Sequence, residues 1–219
     1  MHFHLPKPLH GWREFAGEVG IIVIGVLIAL AAEQVVEDWQ WHRKVEVVRK
    51  SLMGELANDR GRWEVNMAEA KCAVTYLDRL DRWAQRSAPA PPVQYGDEPA
   101  GSFFWMHWAN WNLATGSQTL DHFPIDEQIA LAALYDGVAH RQVDIETGST
   151  LAYRVHALIP LATDAQGRRA LREAVGELKM RIASLTGNDG YMTRHFDALK
   201  VRADRRDFAA DIGAGRCGA

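Results

Sequence analysis

The stretch GEVGIIVIGVLIALAAEQ, residues 17–34, decides how the rest of the chain is read. Fourteen uncharged residues, 19–32, lie between Glu18 and Glu33. A membrane-spanning helix needs ~20 apolar residues, and a run of about 10–14 is ordinarily a core helix or the hydrophobic part of an export signal. The flanks lengthen the run. Trp12 and Phe15 precede it, and Trp39 and Trp41 follow it. From Trp12 to Trp39 a helix rises ~40 Å, the thickness of a bilayer with its interfaces. Tryptophan favours both of those levels. The midpoint falls between Gly25 and Val26, so Glu18 and Glu33 lie symmetrically, each ~11 Å from the midplane. That is a few ångströms inside the hydrocarbon boundary, where bending toward the headgroups, local thinning or protonation accommodates a carboxyl.

The helical faces differ. At about 100° per residue, Glu14, Glu18, Gly25, Ala29, Ala32 and Glu33 fall within one arc of ~100°, and the opposite side is mostly Val, Ile and Leu. Gly25 and Ala29 have the small-xxx-small spacing that lets helix backbones approach in lipid. This face is expected to pack against a second copy of the chain or another membrane helix. Two rival readings stand beside the anchor. Lys7, Arg13, the apolar run and Ala29-Leu30-Ala31 resemble a cleavable signal, although Glu14 and Glu18 are acidic where such signals are basic. A buried core helix would make the tryptophan spacing accidental.

Orientation is read from the flanking charges. Arg43, Lys44, Arg49 and Lys50 outnumber Lys7 and Arg13, which favours a cytoplasmic C-terminal side. A short N-terminus before a first hydrophobic segment instead favours export of the bulk of the chain. The second consideration is given more weight, so a bacterial inner-membrane protein with a periplasmic C-terminal domain is expected.

From Gln34 onward the apolar positions Val45, Val48, Leu52, Leu56, Trp63, Met67, Ala70, Val74, Leu77 and Leu80 recur at a mean step near 3.9. The slips in that series predict an amphipathic helix rather than a strict heptad. Gly54 and Gly61 are places where it could bend, and Ser87 marks its end before APAPP. Residues 88–101 hold four prolines and two glycines and read as a crossover loop. In FFWMHWANWNLATG, residues 103–116, Phe104, Trp108 and Trp111 sit at helical spacing with Trp105 beside them. Pro124 suits a helix first turn, followed by Asp126 and Glu127, with Ile129, Ala132, Ala133 and Leu134 as its apolar side. A separate helix is expected from about Val138 to Pro160. Thr163 or Asp164 can cap the next, whose face is Leu171, Val175, Leu178, Ile182 and Leu185, ending at Gly187-Asn188. A last helix is expected over residues 190–209. No segment alternates convincingly, so no sheet is expected. The divisions are an N-terminal arm (1–11), an anchor helix (12–41), a long amphipathic helix (42–87), the proline-rich loop (88–101), a helical bundle segment (102–210) and a disordered tail (211–219).

The pattern GEVGIIVIGVLIALAAEQVVEDW, residues 17–39, followed by the charged RKVEVVRKSLMGELANDR, residues 43–60, resembles a bacterial family of unknown function. Its members are small proteins with an N-terminal single-pass anchor and a helical remainder. The resemblance implies an aromatic-rich stretch, a small-residue turn and an LY-containing helix, here FFWMHWANW, ATGSQTL and ALYDGV. It covers the first 60 or so residues and the 103–136 region, and it carries no activity and no residue role.

Motifs with a mechanism behind them are lacking: no phosphate-binding glycine loop, no G-x-S-x-G elbow, no H-E-x-x-H. A net charge of −3 with no basic stripe argues against nucleic acid as a partner. His2, His4 and His10 could in principle hold a transition metal, but no fixed scaffold surrounds them, so no metal or cofactor is expected. Cys72 and Cys217 have no metal spacing and read as two free thiols rather than a pair. His107 and His122 flank the aromatic stretch and read as neutral, hydrogen-bonded side chains. Arg168, Arg169, Arg172 and Glu173, and residues 202–207, are mixed-sign runs typical of solvated helix faces. Trp105, His107, Trp108 and Trp111 are the candidate ligand-binding residues; the competing reading is that they cement a helix onto the long one. The expectation overall is all-α: a transmembrane helix continuing into a long amphipathic helix, with shorter helices packed on it as a bundle. The expected role is a non-enzymatic, membrane-tethered interaction or sensory module. The alternatives are an exported soluble domain after cleavage and a small-ligand-binding protein using the Trp-rich segment.

Overall fold

A computed structural model describes residues 11–86 and 99–206, apart from the side chains of Arg13 and Glu14. The N-terminal arm to residue 10, most of the proline-rich loop and the tail beyond residue 206 lie outside the described residues, and with them His2, His4, His10 and Cys217. Every regular element among the described residues is helical: α1 (Trp12–Arg86), α2 (Ala109–Gly116), a 3-10 turn (Gln118–His122), α3 (Ile125–Leu158), α4 (Ala165–Thr186) and α5 (Asp189–Ala198). The all-α expectation holds, and α1 runs through Gly54 and Gly61. The chain divides into two units at Val47/Val48.

In the first unit the apolar stretch of α1 is uncovered. Ile21, Ile24, Val26, Leu27, Ile28 and Leu30 are all exposed, as are Glu18, Gly25, Ala29, Ala32 and Glu33. A Cβ placed on Gly25 would meet nothing within 4 Å.

In the second unit the rest of α1 lies against the later helices. Along one stripe its buried residues are Leu52, Leu56, Asp59, Trp63, Asn66, Ala70, Ala73, Leu77, Leu80 and Ala84, with Val65, Glu69, Cys72 and Tyr76 buried beside them. The steps alternate four and three throughout, which is a heptad seam. The sequence reading counted apolar residues only. It therefore skipped Asp59 and Asn66, drifted to Met67 and Val74, which are half-buried, and saw slips where the seam turns polar.

Two helices differ from expectation. The region from Pro124 to Pro160 is one 34-residue helix, not two. Its buried side is Leu131, Leu134, Tyr135, Val138, Gln142, Ile145, Ala152 and Val155, whereas Ile129 and Ala132 face solvent. Gly137 does not break α3, because it is where α5 comes close: a Cβ there would stand 3.0 Å from the Met192 sulfur. The last helix is ten residues, ending at Ala198. It stops because Val201 N–H donates to Phe196 O and Lys200 N–H to Asp197 O, both at 2.9 Å, a Schellman motif with Lys200 at the left-handed position.

For α4 the reading holds. Asp164 caps it, accepting from Gly167 N–H at 2.7 Å, and Leu171, Val175, Leu178, Ile182 and Leu185 are all buried. Ion pairs ring the seam: Arg49 makes a two-point contact with Glu127 at 2.7 Å each, Arg172 meets Asp81 at 3.0 Å, and Lys179 meets Asp78. Partly exposed pairs of this kind contribute little energy. Cys72 is buried and disulfide-bonded rather than a free thiol.

Leu178→Ala should cost about 2–5 kcal/mol by removing a fully buried side chain, while Met180→Ala, two residues on and exposed, should change stability by under ~0.5 kcal/mol. Denaturant unfolding of the two variants checks the assignment of that face.

Candidate functional site

The aromatic stretch is not a helix. Residues 102–108 are non-helical, and α2 begins only at Ala109. Gly101, with a φ of +89°, turns the chain into this segment. Phe and Trp fit an extended backbone at least as well as a helical one, so their i, i+3, i+4 spacing was a coincidence of a dense aromatic run. The segment is a strap held between α1 and α3.

Four polar side chains of α1, spaced four, three and four apart, hold the strap by its backbone. The Asn66 side-chain amide pairs with both backbone groups of Phe104: Nδ2 donates to the carbonyl at 2.9 Å, and Oδ1 accepts from the N–H at 2.8 Å. It does for Phe104 what a neighbouring strand would. Arg62 Nη1 donates to Trp105 O. Asp59 accepts the His107 N–H, with its oxygens at 3.0 and 3.1 Å. Glu55 accepts the Asn110 N–H at 2.9 Å. From α3, Gln142 accepts the Met106 N–H at 2.8 Å. The strap runs antiparallel to α1.

This anchoring sorts the candidate residues. Phe103 and Met106 point into the core. Trp105 is 58% exposed, His107 is exposed and Trp108 is half-buried. Trp111, on α2, stacks on Tyr135 of α3 with ring centroids 4.8 Å apart. Tyr135 OH donates to Glu55 Oε1 at 3.0 Å, which ties that stack to α1. The four candidates are therefore neighbours along the chain but split in role: Trp111 is packing, whereas Trp105 and His107 stand outward on a fixed strap. His122 is exposed at the end of the 3-10 turn. Among the described residues, no group of three His, Cys, Asp or Glu side chains could hold a metal ion.

The electrostatics centre on Asp59. Its side chain is wholly inaccessible. Burial pushes its carboxyl up to about 8, and Glu55 adds to the rise, while the His107 N–H and the Arg62 guanidinium pull the other way. His107 moves oppositely: burial and then Arg62 lower its pKa. Arg62 Nη1 lies 2.8 Å from His107 Nδ1, so that nitrogen acts as the acceptor and the ring is neutral. The 3.8 Å approach of His107 Nδ1 to Asp59 is thus not an ion pair. Burial is also the largest cause of the raised Tyr135 pKa, with Glu55 next. A carboxyl, an imidazole and a guanidinium do meet here, but Asp59 has no solvent access and His107 is spoken for by Arg62. The arrangement is built to hold backbone, not to move protons on a substrate.

Sequence reasoning missed Glu55, Asp59, Arg62, Asn66 and Gln142. The available signal was the four-three alternation of α1, which becomes regular only when Asp59 and Asn66 are admitted to it. No family model matches the chain, and no curated protein or solved structure matches it.

Asp59 carries a pH signature. An unfolded Asp titrates near 3.8, and the folded one near 8. Between those values the folded chain holds the extra proton, so stability should fall as pH rises from ~4 to ~8. Asp59→Asn should flatten that slope in thermal melts taken across the range; parallel slopes for variant and wild type would contradict the assignment.

Proposed function

We infer that the protein is a single-pass protein of the bacterial inner membrane whose helical domain is a non-enzymatic interaction or sensory module. The observation that carries this is the apolar window of α1. No residue of an eighteen-residue window with a mean hydropathy of 2.5 is buried within the chain. Apolar surface of that extent requires an apolar environment, and a core helix would have supplied its own. By length and composition α1 is long and apolar enough to cross a membrane.

The aromatic flank supports the same reading. The Arg43 guanidinium lies 5.0 Å from the Trp39 ring centroid, and the Lys44 ammonium 4.3 Å from that of Trp41. A collar of tryptophan and cations suits a headgroup layer. Against signal cleavage, Ala29 and Ala31 lie inside a helix that continues to Arg86, whereas a peptidase needs an extended chain. The disulfide at Cys72 favours an oxidising compartment, which on this reading is the periplasm. The resemblance to bacterial anchored helical proteins agrees with this architecture. Partners are the membrane itself and a second transmembrane helix, from another copy or another protein, seated on Glu18, Gly25, Ala29, Ala32 and Glu33. A second reading, small-ligand binding, draws on Trp105, which stands exposed on an anchored strap.

The full chain expressed in a bacterium should stay with the membrane on alkaline carbonate extraction and show an uncleaved intact mass. A photo-crosslinking residue at Ala29 should capture a neighbouring helix, and one at Leu27 should label lipid. A mass shortened by the first 31 residues, or recovery in the soluble fraction, would overturn the anchor; equal capture from both positions would overturn the packing face.

A further inference from the structure

A cleft of ≈ 530 Å³ lies away from the strap, between the middle of α1 and the segment after α5. Its lining is unusual for a chain of net charge −3. Arg60, Lys200, Arg202 and Arg205 supply four cations, against the two carboxylates of Glu64 and Asp197. The carboxylates are already committed. Asp197 takes Arg60 Nη1 at 2.7 Å, and Glu64 takes Arg205 Nη2 at 2.7 Å and lies 3.5 Å from Arg60 Nε. Arg60 also donates to Val201 O at 2.6 Å, which fixes it in the wall. Lys200 and Arg202 remain. Both are exposed, and among the described residues neither has an ion-pair partner. Two positive charges are thus left over in a concave site of small-ligand size.

The backbone at Lys200 is an independent observation. Its φ of +55° is the left-handed conformation, and no other described non-glycine residue has a positive φ. The Schellman position is ordinarily glycine, because a side chain there costs about 1 kcal/mol. A lysine at that position, lining the cleft, points to a use for its charge. Val201 and Phe196, both buried, clamp the turn from beneath, so the Lys200–Arg202 backbone is held rather than loose.

We propose that this cleft binds a dianionic phosphate group, with Lys200 and Arg202 supplying the neutralising charge and the Arg60–Asp197 and Arg205–Glu64 pairs forming its walls. A phosphate monoester carries close to two negative charges at neutral pH, which matches the two spare cations, and Arg202 offers the planar fork that phosphate oxygens accept. The group can come from a soluble phosphorylated molecule or from a phosphate-monoester lipid headgroup. The inference is independent of the membrane reading, since every residue in it lies in the second unit.

The test uses the full chain in phosphatidylcholine nanodiscs and equilibrium dialysis against radiolabelled inorganic phosphate at pH 8 and low ionic strength. Saturable one-to-one binding is expected. Lys200→Gly and Arg202→Gln should each weaken it about tenfold, and Arg169→Gln, on an exposed face of α4, should leave it unchanged. Lys200→Gly relieves the strained backbone, so its Tm should be equal or higher, which separates lost binding from lost folding. Absence of saturable binding, or equal affinity in the Lys200 and Arg202 variants, would overturn the proposal, as would an equal loss in Arg169→Gln. Adding phosphatidic acid to the discs distinguishes the sources: competition supports the lipid headgroup as occupant, and undiminished phosphate binding supports the soluble one.

Discussion

Two polar residues stand in the hydrophobic seam of the long helix, and the domain is arranged to satisfy them. Asp59 and Asn66 occupy seam positions that a helix packed only on other helices would fill with leucine or alanine. Burying an amide or a carboxyl without partners costs several kcal/mol. A neighbouring helix cannot meet that demand with its backbone, because its own N–H and C=O groups are already bonded along the helix. A non-helical segment can. Residues 103–110 bring free backbone groups to α1, and Glu55, Asp59, Arg62 and Asn66 take them in turn. Each side solves the other's problem: the strap would otherwise carry unsatisfied amides into the core.

The consequences reach beyond the strap. With its backbone held at α1 and, through Gln142, at α3, the strap's side chains are sorted between core and solvent. Phe103 and Met106 go to the core, and Trp105 and His107 go to solvent. Glu55 extends the same chain of contacts through Tyr135 to the Trp111 stack, so that α1, α2 and α3 share one polar and aromatic joint. The exposed ring of Trp105 is therefore a fixed surface feature of the second unit, which also carries an uncommitted pair of cations, Lys200 and Arg202, in a separate cleft.

How much of this was legible follows from what hydrophobic patterning measures. It found the apolar face and the end of α4 and gave Thr163 or Asp164 as its cap, of which the structure uses Asp164. It also found the uncovered apolar stretch of α1, where chemistry and exposure coincide. It failed where polar residues are buried by design: Asp59 and Asn66 carry no apolar signal, so the seam looked irregular. It split α3 at about Val138, next to Gly137, although that glycine lies inside the helix and serves close approach to Met192. The strap misled for a different reason. A run with five large aromatics in nine residues matches helical spacing by density alone, and only the partners of its backbone, scattered over α1 and α3, reveal that its first part is not helical. The charge excess of the cleft was hidden as well: Arg202 and Arg205 belong to a run that reads as a solvated face, and Arg60 and Glu64, which complete the wall, lie about 140 residues away in the chain.

The central claim is that the strap's backbone is held by side chains of α1 and α3. Amide hydrogen exchange at Phe104, Met106, His107 and Asn110 tests it most directly, because in a solvent-exposed loop those four N–H groups would exchange freely. The account predicts protection at all four, approaching that of the α1 seam, and loss of protection at Phe104 in Asn66→Ala. Exchange at all four with the rates of an unstructured chain would contradict it.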